Sequence, residues 1–237
     1  MEVASLYREP PREEQKQAAA VELHDVLKIY RSGPAETVAL RGLDLRIEPG
    51  EFVAVLGPSG SGKSTFLHLA AGLEQPSAGE VRVFGQPLNR LDEPALSAFR
   101  ASRISIVFQS ENLLPLLTAR ENVVTTLKLG RRPNAGRSAA AALDAVDLAA
   151  RATHRPGALS GGEQQRVAVA AALARDAMLV LADEPTGELD LENERRVLDE
   201  LRRLRDVHGS TVVTVTHSAR LAQAADRVIE IRDGRVG

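Results

Sequence analysis

Residues 52–65 read FVAVLGPSGSGKST: an apolar run, Phe52-Val53-Ala54-Val55-Leu56, followed directly by Gly57-Pro58-Ser59-Gly60-Ser61-Gly62-Lys63-Ser64-Thr65. A short β-branched-rich run that breaks into glycines and then into Lys-Ser-Thr predicts a buried strand, a phosphate-binding turn and a helix. Each fixed position of the pattern G-x-x-x-x-G-K-[ST] has a physical reason. Gly57 and Gly62 permit backbone conformations that a side chain would block, so successive N–H groups can turn inward around phosphate oxygens. Lys63 brings a point charge to the β- and γ-phosphates, and the Ser64 hydroxyl can ligate Mg²⁺. The helix that starts here adds the positive end of its dipole to the same anion. The stretch predicts a nucleoside triphosphate site.

Outward from this loop the chain alternates strands and helices. Upstream, residues 21–23, 26–30 and 38–47 read as strands, the last with Leu43, Leu45 and Ile47 alternating against Asp44 and Arg46. Downstream come a helix to about Gly72, strand candidates at 80–84 and 103–108, and a long alanine-rich helical stretch over 111–176. Residues 178–182 (MLVLA) form a continuous apolar run of the kind a central parallel strand shows. A helix over 192–206, a strand at 211–215, a short helix from Ser218 and a last strand at 227–231 complete the pattern. This order predicts a parallel sheet covered on both faces. The helical stretch is too long for one crossover, so a helical subdomain, about 95–176, is expected inside the core domain of 20–237. Residues 1–19 are expected to be a polar, flexible extension.

Two further clusters carry chemistry. Asp183-Glu184 stands where the apolar run ends, which puts Asp183 in place to hold Mg²⁺ and Glu184 to polarise an attacking water as general base. Leu159-Ser160-Gly161-Gly162-Glu163 opens a helix, with Ser160 as N-cap and Glu163 as its capping-box partner. Bare N–H groups and a hydroxyl at a helix N-terminus make a second anion site. Two such sites in one domain are redundant unless the second serves the nucleotide of a partner.

With these residues in view, the chain resembles the ATP-binding subunits of ABC transporters over residues 21–237. Residues 57–65 match the family's Walker A loop, Gln109 its Q-loop, and residues 159–163 its LSGG(E/Q) signature. Residues 179–184 match Walker B, Gly187-Glu188-Leu189-Asp190 the D-loop, and Thr216-His217 the switch histidine. Tyr30 falls where the family stacks an aromatic ring on adenine. The resemblance implies a RecA-like P-loop NTPase core of α/β class, an antiparallel β subdomain and an inserted α-helical subdomain. It implies ATP and Mg²⁺ as ligands, with Ser64, Gln109 and Asp183 about the metal. Glu184, His217, Gln109 and Lys63 are the implied catalytic group.

The same resemblance implies a head-to-tail homodimer in which Ser160, Gly161, Gly162, Glu163 and Asp190 face the partner's nucleotide. It further implies a membrane permease that converts closure and opening into transport. Asn112-Leu113-Leu114-Pro115, Glu121-Asn122-Val123 and His154-Arg155-Pro156 resemble the lipoprotein-release and macrolide-export branch. Two residues depart from that branch: Ala171 replaces a common Arg, so an ion pair is expected to be missing, and Glu188 replaces a common Asn. His24, His68, His154 and His208 are expected to be structural.

Bulk properties narrow the alternatives. The 237 residues are 43% apolar and 26% charged, as an ordinary globular chain is. A net charge of −2 gives no electrostatic reason to expect nucleic acid. There is no cysteine, which excludes disulfides, thiolate metal sites and a cysteine nucleophile and suits a reducing cytoplasm. The longest apolar run, residues 167–174, is far short of the ~20 residues of a membrane helix. Any work at a membrane is therefore expected through another chain, and the resemblance implies its cytoplasmic face. The rival reading is a soluble ATPase of the same family acting on nucleic acid or ribosomes. A P-loop kinase is opposed by LSGGE and Gln109.

Overall fold

The computed structural model describes residues 18–33, 35–109, 112–130, 132–187 and 189–237. Residues 1–17, most of the expected extension, lie outside the described residues, as does the departure at Glu188. Ala19 and Ala20 are already buried, and the Ala20 N–H donates to the Ile47 carbonyl at 2.8 Å.

In chain order the strands are β1 (Val21–Ser32), β2 (Ala35–Ile47), β3 (Phe52–Leu56), β4 (Ala78–Val83) and β5 (Gln86–Pro87), then β6 (Ile104–Val107), β7 (Leu179–Asp183), β8 (Thr211–Val215), β9 (Arg227–Arg232) and β10 (Arg235–Val236). The helices are α1 (Lys63–Ala70), α2 (Glu93–Arg103), α3 (Ala119–Leu129), α4 (Ala135–Ala145), α5 (Gly161–Arg175), α6 (Leu191–His208) and α7 (Ala219–Ala224). Among the described residues these strands make an antiparallel sheet, β2-β1-β4-β5, and a larger one, β10-β9-β3-β8-β7-β6. In the larger sheet β9, β3, β8, β7 and β6 run parallel, and β10 adds an antiparallel edge.

The central strands are apolar on both faces because both faces are covered. Leu179 and Leu181 of β7 join one core with Val53, Val55, Val213 and Val215, beneath α1 and the antiparallel sheet. Val180 and Ala182, one residue out of phase, join a second core with Phe52, Val212 and the apolar sides of α3 to α6. The strand period of two thus divides one apolar run between two cores. Helix α5 is buried from Gln165 to Ala170 and packs against α3, α4 and α6. That position explains its alanines, which let neighbouring helices approach. Ala171 lines a gap of about 70 Å³ with Asn122 and Arg175.

The range 95–176 contains most of α2 and all of α3, α4 and α5 but is not all helical: β6 lies within it and pairs with β7 in the parallel sheet. The strand expected at 21–30 in two pieces is one strand with a bulge. Asp25 takes φ 46° there, and its N–H turns to the Asp44 carboxylate at 2.9 Å.

Candidate functional site

Four neighbouring parallel strands, β3, β8, β7 and β6, end on the same edge of the sheet. Val55 pairs with Val215, Asp183 with Val215, and Val107 with Ala182. The residues just past these ends are, in that order, the loop 57–62, His217, Glu184 and Gln109. A crevice outside the carboxyl ends of parallel strands is where such sheets take ligands.

The loop 57–62 is built by close backbone approach. At Gly57 an added Cβ would come 2.1 Å from the Ile231 carbonyl oxygen, and at Gly62 it would come 2.5 Å from that of Ala39. Gly62 also takes φ 104°, a conformation that disfavours any side chain. The loop is pinned from outside, since the Gly234 N–H donates to the Ser61 carbonyl at 2.9 Å. Lys63 is only 6% exposed, and its ammonium donates to the carbonyls of Gly57 and Pro58 at 2.8 and 2.9 Å. Pro58, Ser59, Gly60 and Ser64 are exposed on the crest, with Thr65 half-buried behind them. The buried Ser61 hydroxyl has no hydrogen-bond partner among the described residues. The first N–H groups of α1 have no intrahelical acceptor by the geometry of any helix start. A glycine cradle, free N–H groups, an orphaned hydroxyl and a lysine fit a polyphosphate.

Glu184 and His217 are brought together. Glu184 takes φ 45°, an uncommon conformation for a residue with a side chain, fixed where its N–H donates to the Val215 carbonyl at 2.8 Å. One carboxylate oxygen accepts the His217 backbone N–H at 3.2 Å, and the other lies 3.3 Å from His217 Nε2. The Glu184 side chain is 14% exposed and that of His217 is 60% exposed. A shielded carboxylate beside a solvent-facing imidazole can exchange protons with a bound water.

Gln109 is exposed, but the backbone before it is clamped. Asn112 donates to the Phe108 carbonyl and accepts its N–H, while Gln165 of α5 donates to the same carbonyl at 3.1 Å. Gln109, Gly161, Gln164, Glu184 and Gly187 line a single open cleft of about 190 Å³. The loop 57–62 does not line it. Asn112 and Gln165 were not singled out from the sequence for this task, and only their nearness to Gln109 and LSGGE signals it.

At the start of α5 the capping box forms as expected. The Glu163 N–H donates to Ser160 Oγ at 3.2 Å, and the Ser160 N–H donates to the Glu163 carboxylate at 2.8 Å. That backbone hydrogen bond holds the Glu163 carboxyl below its usual range. Glu163 also pairs with Arg151, so its carboxylate is committed to the helix end, while Ser160 and Gly161 are exposed. Asp190 caps α6 by accepting the Asn193 N–H and side-chain amide at 2.8 and 2.9 Å. Asn193 in turn receives the Arg166 guanidinium, which ties the cap of α6 to α5.

Asp183 is half-buried at the end of β7. No group of three or more His, Cys, Asp or Glu among the described residues is placed to hold a metal ion by itself. Tyr30 stands apart from the strand ends, on β1, yet its hydroxyl lies 3.4 Å from Thr65 Oγ1. The structure thus brings Tyr30 to the loop's helix and gathers Lys63, Glu184, His217 and Gln109 along one sheet edge. Of the signature residues it brings Gly161 to the cleft of Gln109 and Glu184, away from the loop 57–62.

Comparison with known proteins agrees with this geometry. The family model described as ABC transporter matches residues 40–187. The lipoprotein-releasing system ATP-binding protein LolD of Geobacter metallireducens is 44% identical over 92% of this chain and 98% of its own length. The macrolide export ATP-binding/permease protein MacB of Chlorobaculum tepidum is 43% identical over 91% of this chain, which spans only 33% of that longer protein. The dimeric post-hydrolysis structure of the ATP-binding cassette MJ0796, bound to ADP and Pi, superposes with a TM-score of 0.87 at 41% identity, covering 91% of this chain and 96% of that one. The chain belongs to the ABC transporter family, as an ATP-binding cassette.

Proposed function

We propose that this cassette hydrolyses ATP as a head-to-tail homodimer and drives a separate membrane permease of the lipoprotein-release or macrolide-export kind. The observation that carries this reading is the row of neighbouring strand ends bearing the phosphate loop, His217, Glu184 and Gln109, with the start of the LSGGE helix opening on the cleft of Gln109 and Glu184 and not on the phosphate loop. One chain then offers a hydrolytic half-site to its own nucleotide and a signature helix to its partner's.

In this reading residues 57–65 hold the phosphates, Lys63 pairs with the β- and γ-phosphates, and Tyr30 meets the adenine. Glu184 takes a proton from water as the water oxygen bonds the γ-phosphorus and the bond to the ADP oxygen breaks. His217, 3.3 Å from Glu184, steadies the water and the γ-phosphate. Ser64, Asp183 and Gln109 would hold Mg²⁺, which when bound offsets phosphate charge. Asp183, half-buried where β7 ends, offers the single carboxylate that suits a cation held mainly by waters and phosphates. Ser160, Gly161 and Gly162 of the partner would close over the γ-phosphate, with Asp190 beside them.

No helix of the described residues is long and apolar enough to cross a membrane. By likeness to LolD and MacB, the proposed seat is the cytoplasmic face of the membrane, through the permease. Purification from membranes of a host that carries the neighbouring genes tests this. An integral membrane protein is expected to copurify, with ATPase activity raised in its presence. Copurification with nucleic acid or ribosomes instead would favour the rival reading and overturn this one.

A further inference from the structure

The network behind Tyr30 centres on a residue that no motif includes. Glu74 follows α1, in the turn before Pro76. Its Oε2 accepts the Tyr30 hydroxyl at 2.7 Å and the Lys28 ammonium at 2.9 Å, and its Oε1 lies 3.2 Å from Nδ1 of His68 on α1. Lys28 also donates to the Gln75 carbonyl at 2.9 Å and sits 4.9 Å from the centre of the Tyr30 ring. Lys28 and Tyr30 are two residues apart on β1, hence on one face of the sheet. One carboxylate therefore joins the antiparallel sheet to the helix that the phosphate loop opens.

Several features make this more than a surface ion pair, which by itself contributes little. The side chains of Lys28 and Glu74 are 14% and 26% exposed. Burial pushes the Glu74 carboxyl up, but the hydrogen bonds from Lys28, Tyr30 and His68 outweigh it and leave the group below its usual range. Burial raises the Tyr30 phenol, and its bond to Glu74 adds to that shift. Near neutral pH the carboxylate can only accept and the phenol must donate, so the direction of the bond is fixed. The ring is held at its far end by Glu74 and flanked by Lys28, and it is still 38% exposed.

We propose that Glu74 is a positioning residue for the nucleotide base: it holds the Tyr30 ring in place beside Thr65, ready to stack on a purine. This rests on the reading of Tyr30 as the base platform. Ring order is then supplied by the fold instead of being imposed at binding, which is how preorganisation raises affinity. The phosphates never touch Glu74, so its influence is confined to ligands that carry a base.

The test uses the full chain and compares ATP with inorganic tripolyphosphate, which has no base. Glu74→Ala is expected to raise the KM for ATP about 3- to 10-fold, the range that ordering one side chain supplies, with kcat nearly unchanged. Inhibition by tripolyphosphate stays as in the parent chain. Added to Tyr30→Ala, the Glu74 change raises KM no further, because the ring it positions is gone. Glu74→Gln keeps an acceptor for the phenol and restores most of the affinity, which separates positioning from a failure to fold. An unchanged KM in Glu74→Ala, or an equal loss of tripolyphosphate binding, overturns the role of Glu74. An unchanged KM in Tyr30→Ala overturns the platform reading itself.

Discussion

Glu184→Gln is expected to abolish turnover while leaving ATP binding intact. The side chain is enclosed and one of its oxygens accepts the His217 N–H. Glutamine has the same shape, and its carbonyl oxygen can keep that hydrogen bond, so the strained turn at φ 45° survives. What is lost is the capacity to take a proton. General base catalysis contributes about 10²- to 10⁴-fold, and kcat should fall by about that much. With hydrolysis blocked and both phosphate-binding halves intact, an ATP-bound dimer should accumulate. Phosphate release and light scattering with ATP present check both parts. Hydrolysis at the parent rate would remove Glu184 as the base.

Lys63→Ala acts one step earlier, on binding. The buried ammonium spans the loop between two carbonyls, placed where a polyphosphate would take over those contacts. Charge-assisted hydrogen bonds contribute about 1.5–3 kcal/mol each, so loss of this group should weaken ATP binding about 10- to 150-fold. The increase in Tm that ATP produces should shrink accordingly, since ligand stabilisation follows the ratio of concentration to Kd. Calorimetric titration reads the affinity directly. Undiminished affinity would count against the phosphate-loop assignment.

Much of this site was legible because its residues lie at strand ends. An apolar run fixes a strand, and the residues after it fall on the sheet edge whichever way the strands are ordered. Residues 57–65, Asp183-Glu184 and His217 could all be placed by that rule. The order of strands could not be read, and it is what puts His217 3.3 Å from Glu184. The link from Tyr30 to Glu74 spans 44 residues and joins the antiparallel sheet to the turn after α1, so no local pattern marks it. The clamp on Phe108 is similar, since Gln165 reaches it across 57 residues from α5.

Helix α2 opens with Asp92 accepting the Ala95 N–H at 2.9 Å and proline at the second helical position. Those are ordinary start signals, and most of α2 falls within the helical range expected from about residue 95, which begins two residues after the helix does. Within β1, His24-Asp25 broke the alternation and split one strand in two. A bulge keeps the pairing on both sides of such a break while using one residue out of register.

In the proposed head-to-tail dimer a complete ATP site needs two chains, one supplying Lys63 and the other Ser160. Ser160→Arg removes the N-cap, at a cost of about 1 kcal/mol that the well-buried α5 can absorb, and places a bulky cation where the partner's phosphate would lie. Chains carrying Ser160→Arg should be inactive alone, as should chains carrying Lys63→Ala. Mixed, they can form heterodimers with one site built from two intact halves and one built from two damaged halves. ATP hydrolysis and ATP-dependent heterodimers are expected to appear on mixing. Activity that stays at the sum of the two separate preparations, with no heterodimer at saturating ATP, would contradict it.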